Sequence, residues 1–285
     1  MGYRNNIFVQ MWKQKKIPGL RPLGRIRRLV TKYYGLFGPV PVPEKWVFIV
    51  GCGSSGSTLL QKILSSHPMV GSMPKEGQYY TDQFKNRTCE RGLLHPVRPN
   101  EKRIDENDLD KADPIKLKRQ WGGRFNDRTR PVLLEKTPGN TRRMPWLQEH
   151  FENAHFIGIV RNGYAVAESI CRKRTHDIRA AAKRWVKGNE IMLANLEHLE
   201  RTKLIRYEEL AERTEECVRE VCEFIGIDPN EISLGGEWKV LKEKSTISNK
   251  NYRCIERLSE EDFKIIEEEA GDMLKRLGYS RPERP

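Results

Sequence analysis

Gly51, Gly53 and Gly56, with Ser57 and Thr58 after them, are the part of this sequence best suited to chemistry. The pattern Gly51-x4-Gly56-Ser57-Thr58 is that of a phosphate-cradling P-loop, with Ser57 where such a loop carries lysine. The glycines let successive backbone N–H groups curl around an anion. A helix starting behind the loop adds the positive end of its dipole. A nucleoside-triphosphate hydrolase needs the lysine, with Mg²⁺, on the β- and γ-phosphates. Residues 51–58 therefore keep an anion cradle without the triphosphate machinery. Arg161 and Ser169, eight positions apart, offer a second anion contact, one through a guanidinium fork and the other through a hydroxyl. Alone that pair is weak, because an arginine after a strand is commonly a surface ion pair.

These groups need rigid supports. The apolar, β-branched run 46–50 predicts a buried central strand leading into the loop. Leu59, Leu60, Ile63 and Leu64 recur at helical spacing behind it. Further strands are predicted at 132–135, 154–160 and 203–206, and helices at 142–151, 164–174 and 177–200. The turns at 51–57, 136–138 and 161–163 all fall at strand carboxyl ends, where α/β sheets bind their ligands. Thr214 is the predicted cap of a helix burying Val218, Val221, Cys222 and Ile225 and ending at Gly226. Ser259 and Asp262 have capping-box form ahead of a last helix that Gly278 stops. The expected fold class is α/β: a P-loop-like parallel β-sheet flanked by helices on both faces, with a helical C-terminal third. Residues 71–130 are polar and rich in breakers, and few regular elements are predicted there.

The 285 residues carry 52 Lys and Arg against 39 Asp and Glu, a net charge of +13. Residues 1–45 hold ten of the cations against one acid, Glu44, which leaves +9 on the arm and +4 on the rest. The arm closes with Gly38, Pro39, Pro41 and Pro43, a stiff linker, so the predicted organisation is a basic arm, 1–45, and an α/β domain, 46–285. Phe8, Trp12, Ile26, Leu29, Val30, Tyr33, Tyr34 and Phe37 interleave with its charges. A solvated tail and an amphipathic helix on an anionic membrane surface are both open readings. The longest apolar runs, 46–50 and 156–160, reach about a quarter of the ~20 residues a bilayer span needs. No zinc-type spacing links Cys52, Cys89, Cys171, Cys217, Cys222 and Cys254. A reducing compartment is the simpler account, the even count keeps an oxidised form open, and the expected location is cytoplasmic, with peripheral membrane contact through the arm as an open reading.

Taken together, the motifs resemble the PAPS-dependent sulfotransferases, especially the branch of tyrosylprotein and bacterial carbohydrate sulfotransferases. PAPS is 3′-phosphoadenosine 5′-phosphosulfate. The motifs are the loop Gly51 to Leu59, His67-Pro68, Lys136-Thr137-Pro138, Val160 to Gly163 with Ser169, and Arg206-Tyr207-Glu208-Glu209-Leu210. Each is soft alone, and five in this order over about 46–278 are specific. The resemblance implies that Gly53, Ser54, Ser55, Gly56, Ser57 and Thr58 hold the 5′-phosphosulfate and Arg161 and Ser169 the 3′-phosphate, with Tyr207 on the cofactor. It implies Glu76 as general base and Lys136 as the cation on the bridging oxygen. Tyr207 is equally readable as core. His67 and His95 are the alternative bases, of which His67 reads better as helix-end packing. The family's basic loop residue is Ser54 here, leaving Lys136, Arg142 or Arg143 to supply the charge. The expected reaction moves a sulfuryl group from PAPS to a hydroxyl, or an amine, of a carbohydrate, lipid, small molecule or peptide and releases 3′,5′-ADP. No metal and no nucleic-acid partner are expected. A nucleotide or sugar kinase with a degenerate loop, and a non-catalytic nucleotide-binding module, remain as other classes.

Overall fold

The computed structural model describes residues 23–84, 109, 111–174, 177–232, 234, 238–240, 243–245 and 247–283. Its centre is β1 (Lys45–Gly51), in which Trp46 to Val50 are fully buried. Period-two geometry sends Trp46, Phe48 and Val50 into one core and Val47 and Ile49 into the other. A strand apolar on both faces can only sit inside a covered sheet. Beside it lie β2 (Val70–Ser72), β3 (Val132–Lys136), β4 (Ala154–Val160) and β5 (Thr202–Arg206). The order is β2-β3-β1-β4-β5 and every pairing is parallel.

One face is covered by α2 (Ser57–Leu64), α7 (Tyr207–Glu212) and α8 (Thr214–Ile225). The other is covered by α3 (Pro114–Gly122), α4 (Met144–His150), α5 (Gly163–Arg174), α6 (Ile178–His198) and α10 (Glu260–Arg276). The register places Ile49 beside Lys136 and Gly51 beside Ile159, so β1, β3 and β4 deliver their last residues to one edge. A small hairpin, β6 (Trp238–Val240) with β7 (Glu243–Ser245), and the short α9 (Asn251–Ile255) precede α10. The Ser259–Asp262 capping box is formed at the start of α10. Among the described residues no helix is long and apolar enough to cross a membrane.

Two local expectations need correction. Among the described residues of 71–130 stands one α-helix, α3, that the polarity of the stretch hides. Asp113 caps α3 by accepting from the Lys116 N–H, Pro114 occupies the first turn, and Leu117 and Trp121 are buried. The strand β2 is three residues long and exists because β3 offers it a partner edge. Thr214 does not cap α8: its hydroxyl donates back to the Leu210 carbonyl, and Arg213 occupies the cap position without a side-chain capping bond.

The arm is not wholly a tail. Its residues 1–22 lie outside the described residues, whereas α1 (Leu23–Phe37) packs on α3. Gln120 Nε2 donates to the Thr31 carbonyl at 3.3 Å, and Arg119 Nη1 to the Leu36 carbonyl at 3.2 Å. A Cβ on Gly123 would stand 2.5 Å from Tyr34 Cδ1, so the two helices meet in close contact.

Candidate active site

The loop after β1 turns on two residues with positive φ, Ser54 at 72° and Gly56 at 95°. A side chain at Gly56 is excluded twice, by that backbone and by Tyr207, whose Cδ2 lies 2.5 Å from where a Cβ would stand. The N–H groups of Ser57 and Thr58 open α2 and have no intrahelical acceptor. Ser55 is fully buried, and its Oγ has no hydrogen-bond partner among the described residues. A donor enclosed without an acceptor, beside open helix N–H groups, fits the expected anionic group.

Arg161, at the end of β4, backs this loop. Its Nη1 donates to the Ser54 carbonyl at 2.8 Å and its Nε to Asn251 Oδ1 at 2.8 Å. The guanidinium carbon lies 4.3 Å from the centre of the Tyr207 ring. The Tyr207 hydroxyl donates to the Ser248 carbonyl at 3.3 Å and accepts from the Lys250 N–H at 3.1 Å. Tyr207 thus has its ring against Gly56 and Arg161, and its hydroxyl is engaged behind the loop. Ser169 is buried on α5.

Glu76 and Lys136, sixty positions apart, come together. Lys136 Nζ donates to Glu76 Oε1 at 3.3 Å, and Gln78 Nε2 donates to Glu76 Oε2 at 2.7 Å. Both residues of the ion pair are largely enclosed, with side chains 7% and 19% exposed. Beneath them Glu135 is fully buried. It accepts from the Gly77 N–H at 2.8 Å, from Asn140 Nδ2 at 2.7 Å and from the Thr137 hydroxyl. The loop of Glu76 is thereby tied to the strand of Lys136. Burial pushes the Glu135 carboxyl up to about 7, against the pull of Thr137, Gly77 and Lys136.

The other expected groups divide. His67 is fully buried away from this edge: its Nε2 meets the Asp228 carbonyl at 3.0 Å and its Nδ1 accepts from the Met69 N–H. It ties down the end of α2, as helix-end packing predicts. His95 lies outside the described residues. Arg143 lies over Phe84 at 4.0 Å and donates to Asn140 Oδ1 at 2.9 Å. Arg142 is half-buried, and its enclosed Nε–H has no acceptor among the described residues.

Two cations escaped the sequence reading. Lys173 donates from Nζ to Ser54 Oγ at 3.4 Å. The residue as a whole is exposed, but desolvation at its ammonium end, then Arg172 and Arg161, lower its pKa. Its signal was available, since Lys173 lies one turn beyond Ser169 on the same helix. Arg184 on α6 is 5% exposed and lies against the loop: a Cβ on Gly53 would stand 3.4 Å from its Nη2. The sequence hint was a charge set between Ala181, Ala182 and Trp185 on the buried side of that helix.

Fold and site define an α/β protein with a phosphate-type loop, a cluster of cations around it, and a carboxylate–lysine pair at the same sheet edge. A model of the Sulfotransferase family matches residues 47–231, and the chain belongs to that family. It is 24% identical to nodulation protein NoeE of Sinorhizobium fredii, over 82% of this chain and 66% of NoeE. It is also 24% identical to protein-tyrosine sulfotransferase A of Caenorhabditis elegans, over 82% of this chain and 67% of the relative. The match thus spans only about two thirds of the length of these relatives. The sulfotransferase domain of the Synechococcus PCC 7002 olefin synthase superposes with a TM-score of 0.54 at 21% identity, covering 84% of this chain and 96% of that one. Sulfotransferase STF9 of Mycobacterium avium gives 0.52 at 14% identity, over 89% and 83%. Both share the fold.

Proposed function

We propose that this chain transfers a sulfuryl group from PAPS to an acceptor hydroxyl, releasing 3′,5′-ADP. The observation that carries the reading is the Glu76–Lys136 contact at 3.3 Å, formed where the strands end beside the anion loop. The acceptor oxygen attacks sulfur opposite the bridging oxygen, the S–O bond to the nucleotide phosphate breaks, and the acceptor proton passes to Glu76. Lys136 neutralises the charge developing on the bridging oxygen. In the free chain these two groups are paired with each other, so a bound donor and acceptor must share or part that contact. The backbone of residues 53–58, with the open N–H groups of Ser57 and Thr58, and the Ser55 hydroxyl hold the 5′-phosphosulfate, while Arg161 and Ser169 hold the 3′-phosphate.

The missing loop cation is replaced from other elements. Lys173 reaches Ser54 from α5, and Arg184 reaches Gly53 from α6. Their positions favour a transferase over a nucleotide-binding module without turnover. Ser57 in place of the P-loop lysine argues against a kinase. Cys217, Cys222 and Cys254 are buried free thiols, which supports a reducing, cytoplasmic setting. The test is transfer of labelled sulfate from PAPS across a library of carbohydrate, phenolic and peptide hydroxyls, beside equilibrium binding of 3′,5′-ADP and ATP. Labelled product and a preference for 3′,5′-ADP are expected. Tighter binding of ATP, or tight 3′,5′-ADP binding without transfer to any acceptor, would replace this reading with one of the other classes.

A further inference from the structure

The helix α1 turns the wrong side outward for a helix that only packs on its own domain. Leu29 is 67% exposed, Tyr33 61%, Leu36 61% and Phe37 71%. Their spacing of four, seven and eight places them on a single face, and the rings of Tyr33 and Phe37 meet at 5.5 Å. The inward face joins small residues to the Tyr34 ring. Thr31, Gly35 and Gly38 are buried, and a Cβ on Gly35 would stand 2.8 Å from Gln120 Nε2. The helix cannot roll its apolar stripe inward without losing that close seat on α3 and its two bonds to Gln120 and Arg119. A fixed row of four large apolar side chains in water marks a contact surface.

The charge says what the contact is. Lys32 is exposed beside Tyr33, and Arg25, Arg27 and Arg28 precede it in sequence, within an arm of ten cations and one acid. A second copy docking face to face would bring the same positive charge against itself. Nucleic acid would match the charge and offer the leucines nothing. An anionic bilayer supplies phosphate at the headgroups and hydrocarbon directly beneath, which suits an apolar helix face within a basic arm. We propose that α1 is an interfacial platform that seats the enzyme on an anionic membrane surface. Its support is shared with the catalytic edge. Trp121 of α3 donates from Nε1 to the Gly77 carbonyl at 3.1 Å, next to Glu76.

The test is co-sedimentation of the full chain with vesicles of phosphatidylcholine alone, and of phosphatidylcholine with phosphatidylglycerol, at low and high salt. Two variants accompany it: Tyr33→Glu with Phe37→Glu, and Arg25→Glu with Arg28→Glu. The wild type should bind the anionic vesicles at least about tenfold better than the neutral ones and lose that margin at high salt. The first variant should lose binding to both. The second should keep only a weak, salt-insensitive residue. Both variants should bind 3′,5′-ADP as the wild type does, which separates loss of the platform from loss of the fold and from failure of the catalytic reading. Equal binding to both vesicle types, or no binding to either, overturns the proposal. So does unchanged anionic-vesicle binding by the Tyr33, Phe37 variant. A dimeric wild type that this variant makes monomeric would assign the stripe to a second copy instead.

Discussion

Glu135→Gln is the most informative single change, because it removes one proton site and one anchor together. In the wild type the carboxyl is raised from its ordinary 4.5 to about 7, chiefly by burial. The folded chain therefore holds this proton more tightly than the unfolded chain. Stability from this group is highest at low pH, falls as pH rises from about 4.5 to about 7, and is level above that. At about 1.4 kcal/mol per pH unit, the rise from 4.5 to about 7 corresponds to roughly 3 kcal/mol of lost stability across that window. Glutamine has no such titration. Its amide NH₂ would instead face donors, since Gly77, Asn140 and Thr137 all donate to Glu135. That mismatch costs about 1–3 kcal/mol at every pH. The variant should thus be the less stable protein near pH 5 and approach or pass the wild type near pH 8, a relative swing of roughly 3 kcal/mol. Urea unfolding of both proteins at the two pH values measures it directly. A wild-type-minus-variant difference that stays constant with pH would refute the assignment of a buried, raised carboxyl. Turnover should fall while 3′,5′-ADP binding holds, because the anchor lost is that of Gly77, beside Glu76.

Glu76→Gln should leave PAPS affinity intact and reduce turnover by about 10²–10⁴, the usual worth of a general base. Near-normal turnover with saturating acceptor would take Glu76 out of the reaction. Arg161→Ala should weaken 3′,5′-ADP about 10- to 100-fold, with a smaller loss for an analogue lacking the 3′-phosphate. Its bond to the Ser54 carbonyl means that some loss extends to both ligands, and equal losses would reduce Arg161 to a support of the loop. Arg184→Ala should lower PAPS affinity about 10-fold or more, with Arg184→Lys restoring part of it, as expected for a charge on the loop. Unchanged PAPS binding in the alanine variant, by titration calorimetry, would leave Lys136 and Lys173 as the cations that matter.

What the sequence determined by itself was whatever is written in contiguous residues. Five apolar positions in β1, three glycines and a helical stripe from Leu59 to Leu64 specify strand, anion loop and helix, because each depends on local periodicity and on backbone freedom. The parallel α/β class followed from repeating that unit, and the Ser259 and Asp262 cap from a spacing of three. The tertiary structure decided which distant charges meet. Glu76 finds Lys136, and Arg184 and Lys173 reach a loop more than a hundred positions earlier, only because parallel strands end at one edge and helices α5 and α6 pass over it. Glu135 looked like one polar residue in a short strand. Its place beneath the site depends on Gly77, fifty-eight positions away in sequence. The arm shows the same limit from the other side. Periodicity reveals that α1 has an apolar stripe and a small-residue stripe, but not which one faces in. The close seat on α3 takes Thr31, Gly35 and the Tyr34 ring, and leaves Tyr33 and Phe37 in solvent.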